Sequence, residues 1–274
     1  MPANALRKTL QRVFRLENRR RAVRRGTLDR IPQLESKILG NAREVTVYLP
    51  PGYESGDARY PVLYMQDGQN LFDPLRAFIP GQHWRLAEAA DDAIGERTAA
   101  PMIIVGIDNA GPARIEEYTP THDADRKSGG RAAVYGRFLI EELKPLIDAS
   151  YRTRVDAQST AIAGSSLGGL LTLFLGLTHP DVFTRLGVMS PSVWWDCRAI
   201  LDVVDDYDGP PLRTWLDIGG REGAEALDGA RTLRDRLAAK HFDLRYLEDR
   251  RADHSERAWA RRVRAVLEFL FPPA

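Results

Sequence analysis

The chain has 274 residues and is 43% hydrophobic, enough for one α/β domain with a real core, which excludes global disorder. A formal net charge of +1 is low for a generic nucleic-acid binder, so no nucleic-acid partner is expected, and a single cysteine, Cys197, excludes an intramolecular disulfide and reads as a structural thiol. No apolar run reaches membrane-spanning length and no N-terminal stretch has the charged-then-apolar order of a signal peptide. Arg19-Arg20-Arg21 lacks the apolar region a twin-arginine signal needs, so a cytoplasmic location is expected.

Residues 1–30 differ from the rest, with ten Lys/Arg against Glu17 and Asp29. Leu6, Leu10, Val13, Phe14 and Leu16 are partly spaced for one helical face. A basic helical arm is expected there, lying on the domain or on a second subunit as a route to a homo-oligomer. A contact with anionic lipid or nucleic acid is the sharper alternative. Residues 31–274 read as one α/β domain.

From residue 34 the pattern turns to strands. Residues 34–39 and 44–49 form an expected hairpin around Gly40-Asn41. Residues 60–66 read as an interior strand ending in the tight loop Asp67-Gly68-Gln69-Asn70, and 83–97 as a helix. The apolar run 101–107 suits a strand buried on both faces. A long polar loop over 108–130 precedes an amphipathic helix over 131–149, with a kink expected at Pro145. Further strands are expected before Gly164, at 185–190, 213–218 and 243–248, with helices at 167–178, 222–240 and 255–270. This alternation predicts a doubly wound, mostly parallel sheet with the N-terminal hairpin as its antiparallel edge.

Gly164-Ser165-Ser166-Leu167-Gly168 fits G-x-S-x-G between a buried strand and an apolar helix. That is the nucleophile elbow of the α/β-hydrolase fold, with Ser166 at the central position. The register excludes Ser165. A serine nucleophile needs a base, and the base an orienting acid. In this fold the acid and then the histidine follow the serine, on loops at the carboxyl edge of the sheet. Of His83, His122, His179, His241 and His254, only the last two come late enough. His241 falls at the amino edge, which leaves His254. Asp217, Glu222, Glu225 and Asp228 are candidate acids. Glu222 is favoured because the chain has left the sheet at Gly219-Gly220; Asp217 stays open as an alternative. The backbone N–H groups of Leu167 and Gln69 are the expected oxyanion donors. Trp194 and Trp195 wall a substrate pocket or simply fill core.

As a set, several stretches resemble the putative-esterase family of α/β-hydrolases, which includes enterochelin-esterase-like and esterase D-like members. They are residues 60–73, the elbow, Leu216-Asp217-Ile218-Gly219-Gly220-Arg221-Glu222-Gly223 and His254-Ser255-Glu256-Arg257-Ala258-Trp259. Residues 45–53 and Glu117-Tyr118-Thr119-Pro120 match too, and the resemblance runs from about residue 36 to 271. It implies Ser166 as nucleophile, Glu222 as acid and His254 as base. The family includes feruloyl, acetyl-xylan and siderophore esterases and mycolyltransferases, so no substrate carries over. The expectation is a serine carboxylic-ester hydrolase acting on a small-molecule ester, carbohydrate or phenolic, with no metal or organic cofactor. An acyltransferase using the same acyl-enzyme, a siderophore esterase and a non-enzymatic binding module are the competing readings.

Overall fold

A computed structural model of the protein describes residues 25–273. Ten strands are described there: β1 (Thr27–Ser36), β2 (Asn41–Leu49), β3 (Val62–Gln66), β4 (Ile103–Ile107), β5 (His122–Asp123), β6 (Ser128–Gly129), β7 (Thr160–Ser165), β8 (Arg185–Met189), β9 (Arg213–Gly219) and β10 (Asp243–Asp249). Eight of them form one sheet in the order β1-β2-β4-β3-β7-β8-β9-β10. The β1/β2 and β2/β4 pairs are antiparallel, and every pair from β4 to β10 is parallel. This is the doubly wound, mostly parallel sheet expected from the alternating pattern, in the α/β-hydrolase form that the elbow implies. The central strands are the most deeply packed: every residue of β3, β4 and β7 is buried.

Side chains alternate across a strand, so the sheet feeds two cores. On one face Tyr64 and Ile162 pack against the helix Leu167–Thr178 and the segment 132–150. On the other, Leu63, Met65 and Ala163 meet the helices Leu86–Gly95 and Glu256–Leu270. Helices on both faces leave only the sheet's ends free, and the carboxyl ends of β3, β7, β8, β9 and β10 lead into the loops considered below.

Several element boundaries depart from expectation. The predicted basic arm lies outside the described residues through residue 24. Its end does not: Thr27 to Arg30 already pair with Leu49 to Thr46 in β1. This edge strand is exposed on both sides through Arg30, so no apolar alternation marks it. The hairpin turns at 37–40, with Gly40 at φ 70°. His83 and Trp84 precede the helix Leu86–Gly95 instead of opening it. The expected loop at 108–130 contains a short helix, Arg114–Tyr118, and the β5/β6 ribbon. The segment expected as one kinked helix has a π-helical stretch at Phe138–Leu143, followed by Lys144–Ser150 with Pro145 in its first turn. There proline's missing N–H costs little.

Candidate active site

β7 ends at Ser165, and the chain reverses at Ser166 into the helix Leu167–Thr178. Ser166 holds φ 58° and ψ −121°, a conformation that a side-chain-bearing residue keeps only when its surroundings impose it. Its N–H donates to the Met189 carbonyl (3.0 Å), and its own carbonyl accepts from Ser192 N–H (3.1 Å). A Cβ on Gly164 would come within 2.7 Å of the Gly168 backbone. The turn therefore closes only with glycine there. Leu167 is the first residue of the helix, so its N–H has no acceptor within the helix.

His254 lies in the loop between β10 and the helix Glu256–Leu270. Its Nε2 is 2.9 Å from Ser166 Oγ, and its Nδ1 is 2.7 Å from Glu222 Oε2. The imidazole is partly open to solvent, whereas the Glu222 carboxylate is 1% exposed. Burial alone would raise the carboxyl pKa. Hydrogen bonds from His254, from Ser190 Oγ (2.6 Å) and from Gly219 N–H (2.7 Å) outweigh it and hold Glu222 below its ordinary value. It is thus an ionised group aimed at one imidazole nitrogen. A Trp259 ring stands edge-on to the imidazole, centroids 4.9 Å apart.

Facing this, the loop after β3 turns through Asp67 (φ 57°) into a short 3₁₀ turn, Gly68–Asn70. A Cβ on Gly68 would meet the Gly106 backbone at 2.6 Å, so glycine lets this turn press onto β4. Asp67 accepts two hydrogen bonds from Arg114 (2.7 and 2.8 Å) and one from Asn109 Nδ2 (2.6 Å). The Gln69 side chain accepts from Asn109 N–H (3.2 Å), and Gln69 and Ser166 line the same cleft. That cleft, about 530 Å³, also carries Phe78, Glu256 and Trp259. A second, about 510 Å³, opens on the other side of His254, among Arg126, Trp194, Glu222 and Glu225.

The other candidates separate. Asp217 is fully buried at the end of β9, where its carboxylate accepts from Trp215 Nε1 (2.8 Å) and pairs with Arg262 (3.1 Å) instead of reaching His254. Burial pushes it up to about 6, against the pull of the Arg262 charge and the Trp215 hydrogen bond. The two tryptophans part company. Trp194 is half exposed in the cleft, with the Arg126 guanidinium 4.9 Å from its ring. Trp195 is no pocket wall: it is buried, and its Nε1 donates to the Thr121 carbonyl (3.0 Å). Cys197 is exposed, so a packing role does not hold for it.

Sequence reasoning missed the groups behind Glu222. Ser190 Oγ donates to Glu222 and accepts from Trp259 Nε1 (3.0 Å) and Arg262 Nη2 (2.8 Å). Ser255, Trp259 and Arg262 recur at helical spacing, a signal that would have put the last two on one inward face.

The family model described as "Putative esterase" matches residues 36–270. The ferri-bacillibactin esterase BesA of Bacillus subtilis (strain 168) is 31% identical over 237 residues, covering 76% of this chain and 78% of that protein. Among solved structures, the BES protein from Bacillus cereus superposes with a TM-score of 0.71 at 23% identity, covering 89% of this chain and 94% of its own. A CE1 ferulic acid esterase from Anaeromyces mucronatus, in complex with ferulic acid, gives 0.66 at 18% identity, covering 91% and 94%. These two structures share the fold.

Proposed function

This chain belongs to the putative-esterase family and is a carboxylic ester hydrolase, and we propose that it works through Ser166, His254 and Glu222. The observation that carries this reading is the unbroken hydrogen-bonded series from Ser166 Oγ through His254 to Glu222 Oε2. His254 Nε2 takes the Ser166 proton as Oγ attacks the ester carbonyl carbon. Glu222 keeps the remaining proton on Nδ1 and stabilises the imidazolium that forms. The carbonyl oxygen becomes an oxyanion, held by the N–H groups of Leu167 and Gln69. Collapse expels the alkoxide, which takes the proton from His254 and leaves as the alcohol. Water then attacks the acyl-enzyme by the same route and releases the acid.

Leu167 opens the helix directly after Ser166, and Gln69 sits in a turn on the cleft that Ser166 lines, which supports them as donors. For the substrate we propose an ester with a phenolic or other aromatic group, because Trp194 offers a half-exposed ring backed by Arg126 in the second cleft. A catecholate siderophore ester meets this description, as does a feruloyl ester. The kinship with the ferri-bacillibactin esterase favours a siderophore ester.

Replacing Ser166 by Ala tests the assignment. Hydrolysis of p-nitrophenyl acetate should fall on the order of 10⁶-fold in kcat, and a serine-reactive phosphonate should stop labelling the protein. Wild-type turnover by S166A would sink it. Turnover of feruloyl, acetyl-sugar and catechol-siderophore esters by the wild type then separates the substrates. Product analysis with added alcohols distinguishes hydrolysis from acyl transfer.

A further inference from the structure

Glu256 is the first residue of the last helix. An acidic residue at that position ordinarily faces water and steadies the helix dipole. Glu256 instead turns into the cleft that holds Ser166. Its Oε1 accepts from Asn70 Nδ2 (3.1 Å), and its Oε2 accepts from Trp84 Nε1. Neither donor is local: Asn70 and Glu256 are 186 positions apart in the chain.

Asn70 directly follows Gln69 and is buried. Its N–H donates to the Asp67 carbonyl (2.9 Å), its Oδ1 accepts from Phe78 N–H (2.8 Å) and its carbonyl accepts from Trp84 N–H (2.8 Å). The Asn70 side chain is therefore fixed on one side by its own loop and on the other by Glu256. Trp84 packs on Trp259, ring centroids 5.9 Å apart, and Trp259 in turn stands against His254. The charged or titratable groups around the Glu256 carboxyl are Asp67, Arg114 and His254.

We propose that Glu256 is a positioning residue that ties the loop bearing the Gln69 N–H to the helix that follows His254, fixing oxyanion donor and base relative to one another across Ser166. This rests on the reading of Ser166, His254 and Gln69 given above. The chemistry of the tie is specific. A carboxylate supplies two acceptors to two donors. In E256Q one of them becomes an NH₂ group facing another N–H. In N70D the loop offers an acceptor to an acceptor. In the paired variant N70D/E256Q the bond is remade in reverse: the new amide donates to the new carboxylate, while its oxygen still receives Trp84 Nε1. The net charge is that of the wild type.

Steady-state kinetics on p-nitrophenyl acetate at pH 8, above the value of about 7 to which burial raises Glu256, test this. Removing an oxyanion donor outright costs about 10²–10³-fold in kcat, and displacing one should cost less. E256Q and N70D should each lose about 10–100-fold in kcat with KM within about threefold. The paired variant should recover to within about threefold of wild-type kcat. Wild-type kcat in both single variants, or a pair no better than the worse single, overturns the tie. If E256Q fails to fold, N70A is the substitute: it removes the donor to Glu256 together with the acceptor for Phe78 N–H, and it leaves the Trp84 contact, while N70D, which keeps the Phe78 acceptor, is its control. N70A must show the same loss in kcat without a matching rise in KM, and unchanged kcat overturns the proposal. S166A separates the two levels. If S166A is inactive while the Glu256 and Asn70 variants are fully active, only the tie fails. If S166A is active, the reading of the site fails.

Discussion

Two glutamates flank His254, and the protein treats them oppositely. Glu222, behind the imidazole, collects donors from His254, Ser190 and Gly219, and its pKa is lowered. Glu256, in front, has two donors and the Asp67 charge nearby, and burial pushes it up to about 7 against the Trp84 hydrogen bond and the Arg114 and His254 charges. Desolvation acts on both, so the number and kind of donors decides the direction. The region behind the imidazole holds a permanent negative charge. The region in front holds a carboxyl whose protonation changes near neutrality. Only the first suits a group that must stabilise an imidazolium in every turnover.

The largest effect expected from breaking this contrast is in E222Q. Glu222 Oε1 already receives Ser190 Oγ and Gly219 N–H. A glutamine would leave its oxygen there and turn its NH₂ toward His254 Nδ1. That forces the tautomer with the proton on Nε2, which cannot accept the Ser166 proton. A fall of about 10⁴-fold in kcat is expected, with little change in KM. A loss below tenfold would show that Glu222 does not set the tautomer.

Arg262 sharpens the same comparison on the stability side. It is buried, and its Nη2 pairs with Asp217 Oδ1 and donates to Ser190 Oγ. R262M leaves Asp217 buried without its cation, and the cost expected by urea denaturation at pH 8 is about 3–5 kcal/mol. At pH 5, below the value of about 6 to which burial already raises Asp217, the carboxyl is protonated and the loss should shrink. R262M/D217N should recover most of it at pH 8. An equal loss in single and paired variants would mean that Arg262 matters for packing alone.

Much of this architecture was legible in the chain. β4 is an uninterrupted apolar run of strand length, and β7 is marked by the glycine-bracketed turn that follows it. Ser166 and His254 follow from one motif and the rule that places each on a strand's carboxyl end, whereas that rule left Glu222 favoured with Asp217 open; the structure places His254 within hydrogen-bond distance of both Ser166 and Glu222. What was hidden depends on contacts far apart in sequence. Asn70 meets Glu256 across 186 positions and Arg262 meets Ser190 across 72; helical spacing turns Arg262 inward, but nothing local names the partner of any of the four. β1 was hidden for a different reason. An edge strand with water on both sides needs no alternation, so Asp29 and Arg30 look like the end of a charged arm.

The smallest expected effect concerns the pH dependence of stability, where the two glutamates should pull in opposite directions. The folded pKa of Glu222 lies below its ordinary value of 4.5. The unfolded chain therefore binds more protons below pH 4.5, and the stability Glu222 contributes is lost as pH falls through its folded pKa. Glu256 runs the other way, from 4.5 unfolded to about 7 folded. Between those values the folded protein binds the extra proton, so stability declines as pH rises, with a slope limited to about 1.4 kcal/mol per pH unit. Glutamine at position 256 cannot titrate. Whatever the constant cost of its mismatched amide, the Tm of E256Q relative to wild type should move upward between pH 5 and pH 8. Below pH 4.5 the E222Q difference should change in the opposite sense, as the wild-type Glu222 carboxyl takes up its proton. A Tm difference for E256Q that is flat from pH 5 to pH 8 would show that burial does not divide the glutamates in this way.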